Sequence, residues 1–199
     1  MNVNGLFPIP LGSVQLDREI TQQEKDYILS LELSKNMGNY RSVNTHVLLN
    51  PQMSGIREFI SNSLGLFFTE IYQPLTTDIR VTQSWVNISN PGEYHHKHFH
   101  PNSFISGVFY IQANSDDKIH FYNEQQNTLI IPHKSYNLFN SETWWVDVKE
   151  GQLLLFPSKL QHMVSNVRAA ENKQRISLSF NTFLVGTLGT EDTLTQLIL

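Results

Sequence analysis

The segment Glu93-Tyr94-His95-His96-Lys97-His98-Phe99-His100-Pro101 holds four of the chain's eight histidines. In a strand, residues two apart project from the same face. On that spacing His96, His98 and His100 share one side, and Tyr94 follows the same parity. Two imidazoles on one face are close enough to chelate a single divalent ion, and both His98 with His100 and His96 with His98 have the spacing. A third ligand has to come from elsewhere, with a position left open for chemistry. A dense histidine run can also be a solvated surface or an affinity tag. Tags sit at termini, however, and this run lies mid-chain, just before a long apolar stretch.

A second motif offers a candidate for the third ligand. Gly151-Gln152-Leu153-Leu154-Leu155-Phe156-Pro157 reads as a turn glycine and an apolar strand, and a short bend leads from it to His162. A barrel brings a distant side chain back to a site in this way. Further on, Arg175 opens the alternating run Arg175-Ile176-Ser177-Leu178-Ser179-Phe180. Arg175, Ser177 and Ser179 point one way, and Ile176, Leu178 and Phe180 the other. A guanidinium facing a barrel interior needs an anionic partner, because an unpaired buried charge is very costly. A ligand carboxylate held by the rigid guanidinium fork meets that need. A surface arginine on an edge strand is the plainer alternative.

The composition limits the chemistry further. With no cysteine among 199 residues, neither a disulfide nor a thiolate ligand exists, and any metal sits on His, Asp or Glu. That suits a reducing cytoplasm, which is the expected location. The start at Met1 lacks the charged-then-apolar pattern of a secretory signal. Hydrophobic (40%) and charged (16%) fractions are those of one ordinary globular domain. A net charge of -4 without a basic block argues against nucleic acid as a partner. No run approaches the roughly 20 apolar residues that span a bilayer.

The elements that must position these groups divide the chain in two. Thr21 to Ser34 reads as a helix opened by a Thr21/Glu24 capping box, with Ile28, Leu29 and Leu31 as its apolar face. A second helix carries Ile56, Phe59, Ile60, Ser63, Leu64, Phe67, Phe68, Ile71 and Tyr72 at helical spacing, with Ser63 its one non-apolar member, and ends before Pro74. Beyond Ile79, short β-branched and aromatic runs alternate with Gly, Pro, Asn and Ser clusters. Candidate strands are Arg80–Ile88, Phe104–Gln112, Lys118–Tyr122, Thr128–Ile131, Thr143–Val148, Gln152–Phe156, His162–Val167 and Arg175–Leu184. So many short strands indicate a sandwich or barrel.

In this order the motifs resemble the double-stranded β-helix (jelly-roll) oxygenases that use Fe(II) and 2-oxoglutarate, whose signature is His-x-Asp/Glu, a distal His and a later Arg or Lys. More narrowly, Trp85-Val86-Asn87, His98-Phe99-His100-Pro101-Asn102-Ser103, Ser106-Gly107-Val108-Phe109-Tyr110, Leu155-Phe156-Pro157-Ser158, His162 and Arg175 to Asn181 resemble a small oxygenase group of bacteria and phages. Phe7-Pro8-Ile9-Pro10 fits it too. The resemblance implies a mainly β fold with N-terminal helices and a jelly-roll core. It is expected as a single domain, 1–199, with helical support over 1–78, the catalytic core over 79–184 and a C-terminal extension over 185–199.

Carried over, the resemblance implies iron on His98, His100 and His162, with no catalytic side chain beyond these ligands. It selects His100 over His96 because His100-Pro101 matches the narrow group. Arg175 would hold the distal carboxylate of 2-oxoglutarate, assisted by Ser177. Tyr110 sits where prolyl hydroxylases place a tyrosine that touches the same carboxylate, and Asn87 would lie near the opposite end. His100 stands where most of the superfamily carries a carboxylate, so the site is one negative charge short of the usual triad. The implied reaction couples decarboxylation of 2-oxoglutarate to hydroxylation of a small-molecule or peptide substrate, with a peptidyl or free amino-acid side chain as the expected target. Three rivals use the same residues differently: a cupin-like three-histidine enzyme without 2-oxoglutarate, a non-catalytic jelly-roll binding module, and a zinc hydrolase with Glu93 as the one nearby base.

Overall fold

The computed structural model describes residues 1–123, 131–167 and 173–199. Strand β1 (Gly12–Gln15) leads into helix α1 (Gln22–Leu29), then the hairpin of β2 (Leu33–Lys35) and β3 (Tyr40–Ser42). Two 3-10 turns, Val47–Leu49 and Pro51–Met53, precede helix α2 (Ser54–Tyr72). The strands that follow are β4 (Thr77–Ser89), β5 (His95–His98), β6 (Ile105–Gln112), β7 (Lys118–Tyr122), β8 (Thr143–Asp147), β9 (Gln152–Pro157), β10 (His162–Val164), β11 (Arg175–Leu188) and β12 (Leu197–Ile198).

The capping box forms as expected: Glu24 N donates to Thr21 Oγ1 at 3.2 Å, and Thr21 N to Glu24 Oε2 at 2.8 Å. The helix nevertheless ends at Leu29 instead of running to Ser34. Only Ile28 of its expected apolar face is buried, while Leu29 is 58% exposed, so packing gives no reason to continue. Ser30 Oγ bonds the Tyr27 carbonyl at 2.7 Å and competes with helix propagation. Leu33 to Lys35 pair with β3 instead. Helix α2 buries Ile56, Ile60, Ser63, Leu64, Phe67 and Phe68 of the expected stripe, whereas Phe59 is half-buried and Ile71 and Tyr72, in the last turn, are exposed. It ends at Gln73, in the left-handed conformation (φ 45), just ahead of Pro74.

Among the described residues all strand pairs are antiparallel and form two sheets. The larger runs β1-β9-β6-β11-β4-β3-β2, with β12 also on β11; the smaller runs β5-β10-β7-β8. From β4 to β11 the chain passes repeatedly between them, which is the double-stranded β-helix. The large sheet is covered on both faces. Val86, Ile88, Ile105, Phe109, Leu153, Leu155, Ile176, Leu178 and Phe180 pack toward the helices. Val108, Tyr110, Leu154 and Phe156 face the small sheet, with Ile119 and Phe121 opposite. The alternation expected for 175–180 is therefore observed, with Ile176, Leu178 and Phe180 on the helix side.

Strand limits differ from the expected ones mostly by a few residues. His162–Val167 shortens to β10, because Val167 leaves the ladder to bond Glu93 O. Arg175–Leu184 lengthens into β11, whose end pairs with β12. The expected strand Thr128–Ile131 lies, apart from Ile131, outside the described residues. Among the described residues no helix is long and apolar enough to cross a membrane.

Candidate metal and co-substrate site

His162, the first residue of β10, pairs with His98, the last of β5. The bend after β9, closed by Leu160 N to Pro157 O at 2.9 Å, returns the chain to this point. His100 lies beyond β5, where its N–H donates to Ser158 O at 3.0 Å and holds it beside the same bend. The three rings stand 4.4 to 5.2 Å apart between centroids, and their candidate ligand atoms lie within 4.8 Å of one another.

The hydrogen bonds set the tautomers. His98 Nδ1 is 2.7 Å from His96 O, and His162 Nδ1 is 2.9 Å from Leu160 O. A carbonyl only accepts, so each Nδ1 carries the proton and each Nε2 presents a lone pair. His162 Nε2 stands 3.3 Å from His100 Nε2. Two nitrogens each about 2.1 Å from one ion at near right angles are separated by about 3 Å, so the spacing fits a shared cation. Burial, with the neighbouring imidazoles adding to it, pushes the His162 pKa down to about 3. Burial followed by His98 pushes His100 to about 4, and His98 is also lowered, chiefly by burial. All three rings are therefore neutral near pH 7, the state a metal requires.

The parity expected for the histidine run breaks at a bulge. His98 pairs with His162 and His95 with Val164, so His96 and Lys97 oppose the single residue Met163. A bulge offsets the alternation by one residue. As a result His95 joins His98 on the inner face and lines the cavity, while His96 does not. His96 instead lies with Nδ1 3.5 Å from Met37 O. His100, outside the strand, reaches the cluster through its Ser158 contact and not through strand parity. The alternative His96/His98 pair does belong to a second histidine cluster, with His95, which shares His98 with the first.

Across the cavity the large sheet presents a row. Ser177 pairs with Asn87 on one side and Tyr110 on the other, which puts three of the four expected co-substrate residues in register. The fourth, Arg175, lies with its guanidinium carbon 5.1 Å from the Tyr110 ring centroid. Arg175 is 4% exposed, and its Nε and Nη2 have no hydrogen-bond partner; nor has the Tyr110 hydroxyl. The nearest anion is Asp117, equally buried, with Oδ2 3.8 Å from Nε, too long for a hydrogen bond. Burial, reinforced by Asp117 against Arg175, pushes the Tyr110 pKa up to about 12, so it stays a neutral donor. Asn87 donates to Ser179 Oγ at 3.0 Å and keeps an unpartnered Oδ1. Buried donors left unpaired at this density fit a bound carboxylate. Among the described residues, the surface-arginine alternative does not hold.

Two residues escaped the sequence. His95 was hidden by the bulge. Asp117 looked like part of an Asn114–Asp117 turn, where its Oδ2 does accept from Asn114 N at 2.8 Å, and only the fold brings it to Arg175. Glu93, the base the hydrolase alternative needs, accepts from Asn90 N (2.7 Å) and Nδ2 (3.0 Å) in a turn and does not line the cavity.

Residues 83–181, from β4 into β11, match the family described as "Putative 2OG-Fe(II) oxygenase". This chain belongs to that family. The oxygenase carries the two-sheet fold of solved relatives at low identity. A 2OG-Fe(II) oxygenase-family oxidoreductase from Burkholderia pseudomallei shares 14% identity at TM-score 0.59, over 86% of this chain and 84% of that one. HygX from Streptomyces hygroscopicus, solved with nickel, 2-oxoglutarate and hygromycin B, shares 11% at TM-score 0.60, over 87% and 82%. A Trichoplax adhaerens prolyl hydroxylase, solved with a hypoxia inducible factor peptide, shares 15% at TM-score 0.58, over 87% and 83%. No curated protein matches the sequence significantly. The enzyme is thus an Fe(II)- and 2-oxoglutarate-dependent oxygenase, which sets aside the binding module, the cupin-like enzyme and the zinc hydrolase.

Proposed function

We propose that this oxygenase hydroxylates a peptidyl or free amino-acid side chain, with iron on His98, His100 and His162 and 2-oxoglutarate anchored by Arg175. The carrying observation is the pair of complementary deficits facing one cavity. One wall offers bare imidazole nitrogens 3.3 Å apart, and the other offers the Arg175 guanidinium, two of whose nitrogens lack acceptors. Tyr110, whose hydroxyl is also unpartnered, lies against Arg175 and does not itself line the cavity. Bound iron and 2-oxoglutarate supply oxygen activation coupled to decarboxylation.

The chain's own residues do the rest. The Leu160 and His96 carbonyls hold two imidazoles in their ligand tautomer. Arg175 and Tyr110 give the distal carboxylate two kinds of donor, and Ser177, between Tyr110 and Asn87, adds a hydroxyl to the same row. Val108, Ile119 and Val164 line the cavity between the walls and keep it poor in water. An amino-acid side chain as substrate is favoured by the fold shared with a prolyl hydroxylase that was solved with a peptide.

The test is succinate formation from 2-oxoglutarate by protein reconstituted anaerobically with Fe(II) and then given air. His162→Ala is expected to lose bound iron and turnover together, and Arg175→Ala to keep iron and lose 2-oxoglutarate binding. Turnover unaffected in both variants would overturn the assignment. Peptide and amino-acid mixtures, scored by mass for an added oxygen, test the substrate class.

A further inference from the structure

His95 is not needed by the triad, yet it is placed as though the cavity required it. The bulge between β5 and β10 turns it inward in register with Val164, which is itself buried in the cavity wall. Its ring stacks on His98 at 4.5 Å between centroids, with 24° between the planes. Among the described residues neither of its ring nitrogens has a hydrogen-bond partner, although Arg175, Asn87 and Ser177 line the same cavity.

A bulge disrupts a ladder and leaves an extra residue unpaired. Here its consequence is specific: without it, strand parity would place His95 on the opposite face from His98. An apolar side chain would serve better for packing alone, since an imidazole bordering a cavity without a partner forgoes a hydrogen bond. His95, the three histidines of the triad and Arg175 line one cavity. A five-carbon diacid anchored on the triad and on Arg175 therefore shares that cavity with the His95 ring.

We propose that His95 is a binding residue for 2-oxoglutarate, donating a ring N–H to one of its oxygens, and is not a metal ligand. This rests on the co-substrate assignment above. Its recognition chemistry is a neutral imidazole donor on the small-sheet wall, opposite the Asn87–Ser177–Tyr110 row.

The experiment uses the full chain loaded with Mn(II), which is inert to turnover. Mn(II) affinity is read by electron paramagnetic resonance and 2-oxoglutarate affinity by calorimetry. His95→Phe keeps a ring of similar shape but no donor; His95→Gln keeps a donor. The expected result is Mn(II) affinity within about two-fold of the parent in both variants. Affinity for 2-oxoglutarate should fall about ten-fold in His95→Phe, the scale of one lost hydrogen bond, and less in His95→Gln. With Fe(II), KM for 2-oxoglutarate should rise while kcat at saturation holds. Loss of Mn(II) binding in folded His95→Phe would make His95 a ligand and overturn the proposal, as would unchanged 2-oxoglutarate affinity in His95→Phe. A parent chain that binds Mn(II) but no 2-oxoglutarate would overturn the co-substrate assignment itself, and this proposal with it.

Discussion

His100 and His162 are 62 positions apart in the chain, yet their Nε2 atoms stand 3.3 Å from each other. The His162 nitrogen carries a lone pair, so the approach is favourable only with a proton or a cation between them. A divalent ion satisfies both rings and His98 as well, and binding it stabilises the fold by linkage. Adding Fe(II) or Mn(II) anaerobically is expected to raise Tm by several degrees, and a chelator to reverse the shift. His100→Ala should abolish the response. His100→Asp should restore it, because an aspartate supplies an oxygen ligand at the position where most relatives carry a carboxylate. Equal metal affinity in His100→Ala and the parent would remove His100 from the ligand set.

Arg175 and Asp117 lead to a different expectation. Both are buried, and the 3.8 Å gap leaves the guanidinium only partly compensated. Asp117→Asn removes the nearest anion and should cost roughly 3 kcal/mol of stability, the scale of an unpaired buried charge. The carboxylate of 2-oxoglutarate then supplies the counter-charge that Asp117 gave. The Tm increase produced by saturating 2-oxoglutarate should accordingly be larger in Asp117→Asn than in the parent. Differential scanning fluorimetry with and without the diacid measures both effects; an equal increase would mean that Arg175 does not hold the carboxylate.

What the sequence revealed depended on how local the signal was. The α2 stripe and the alternation of 175–180 are periodicities of single elements; the alternation appears as the pattern implied, and the stripe is buried as far as Phe68 but not at Ile71 and Tyr72. The triad was legible because His98 and His100 lie close in the chain and His162 follows an apolar strand. Strand parity alone puts His96, and not His95, beside them; the bulge that reverses this is a property of two strands and leaves no mark in one. Asp117 was invisible for the same reason, its role being set by a strand more than fifty residues away. Helix α1 was overextended because its termination depends on Leu29 finding nothing to pack against.

The α1 capping box carries a pH signature. Burial alone would raise the Glu24 pKa, but hydrogen bonds from Arg18 and Thr21 and the Arg18 charge outweigh it, and the net shift is downward. A depressed folded pKa means the stabilisation is complete above the unfolded carboxyl value of about 4.3 and is lost as pH falls through the folded value. Glu24→Gln should therefore cost about 1–3 kcal/mol at pH 7, from hydrogen bonds to a charged group. The difference from the parent should shrink below about pH 4. Urea midpoints at pH 7 and pH 3.5 test this, and a constant difference would contradict it.

Gly107 on β6 pairs with Phe180 on β11, and both face the helix-side core. A Cβ at position 107 would collide with the Phe180 ring, which occupies the space a side chain would need. Phe180 is fully buried at 0% exposure and cannot swing to solvent. Gly107→Ala should thus destabilise by about 1–3 kcal/mol through overpacking. Because β11 also carries Ser177 and Arg175, the strain should weaken 2-oxoglutarate affinity as well as lowering the urea midpoint. Phe180→Leu alone should be destabilising too, by leaving a cavity. Combined, the two changes relieve each other, and the double variant should be more stable than the sum of the single effects implies, by roughly 0.5 kcal/mol or more. Strict additivity in urea unfolding would show that the close approach of Gly107 to Phe180 is not what fixes glycine at this position.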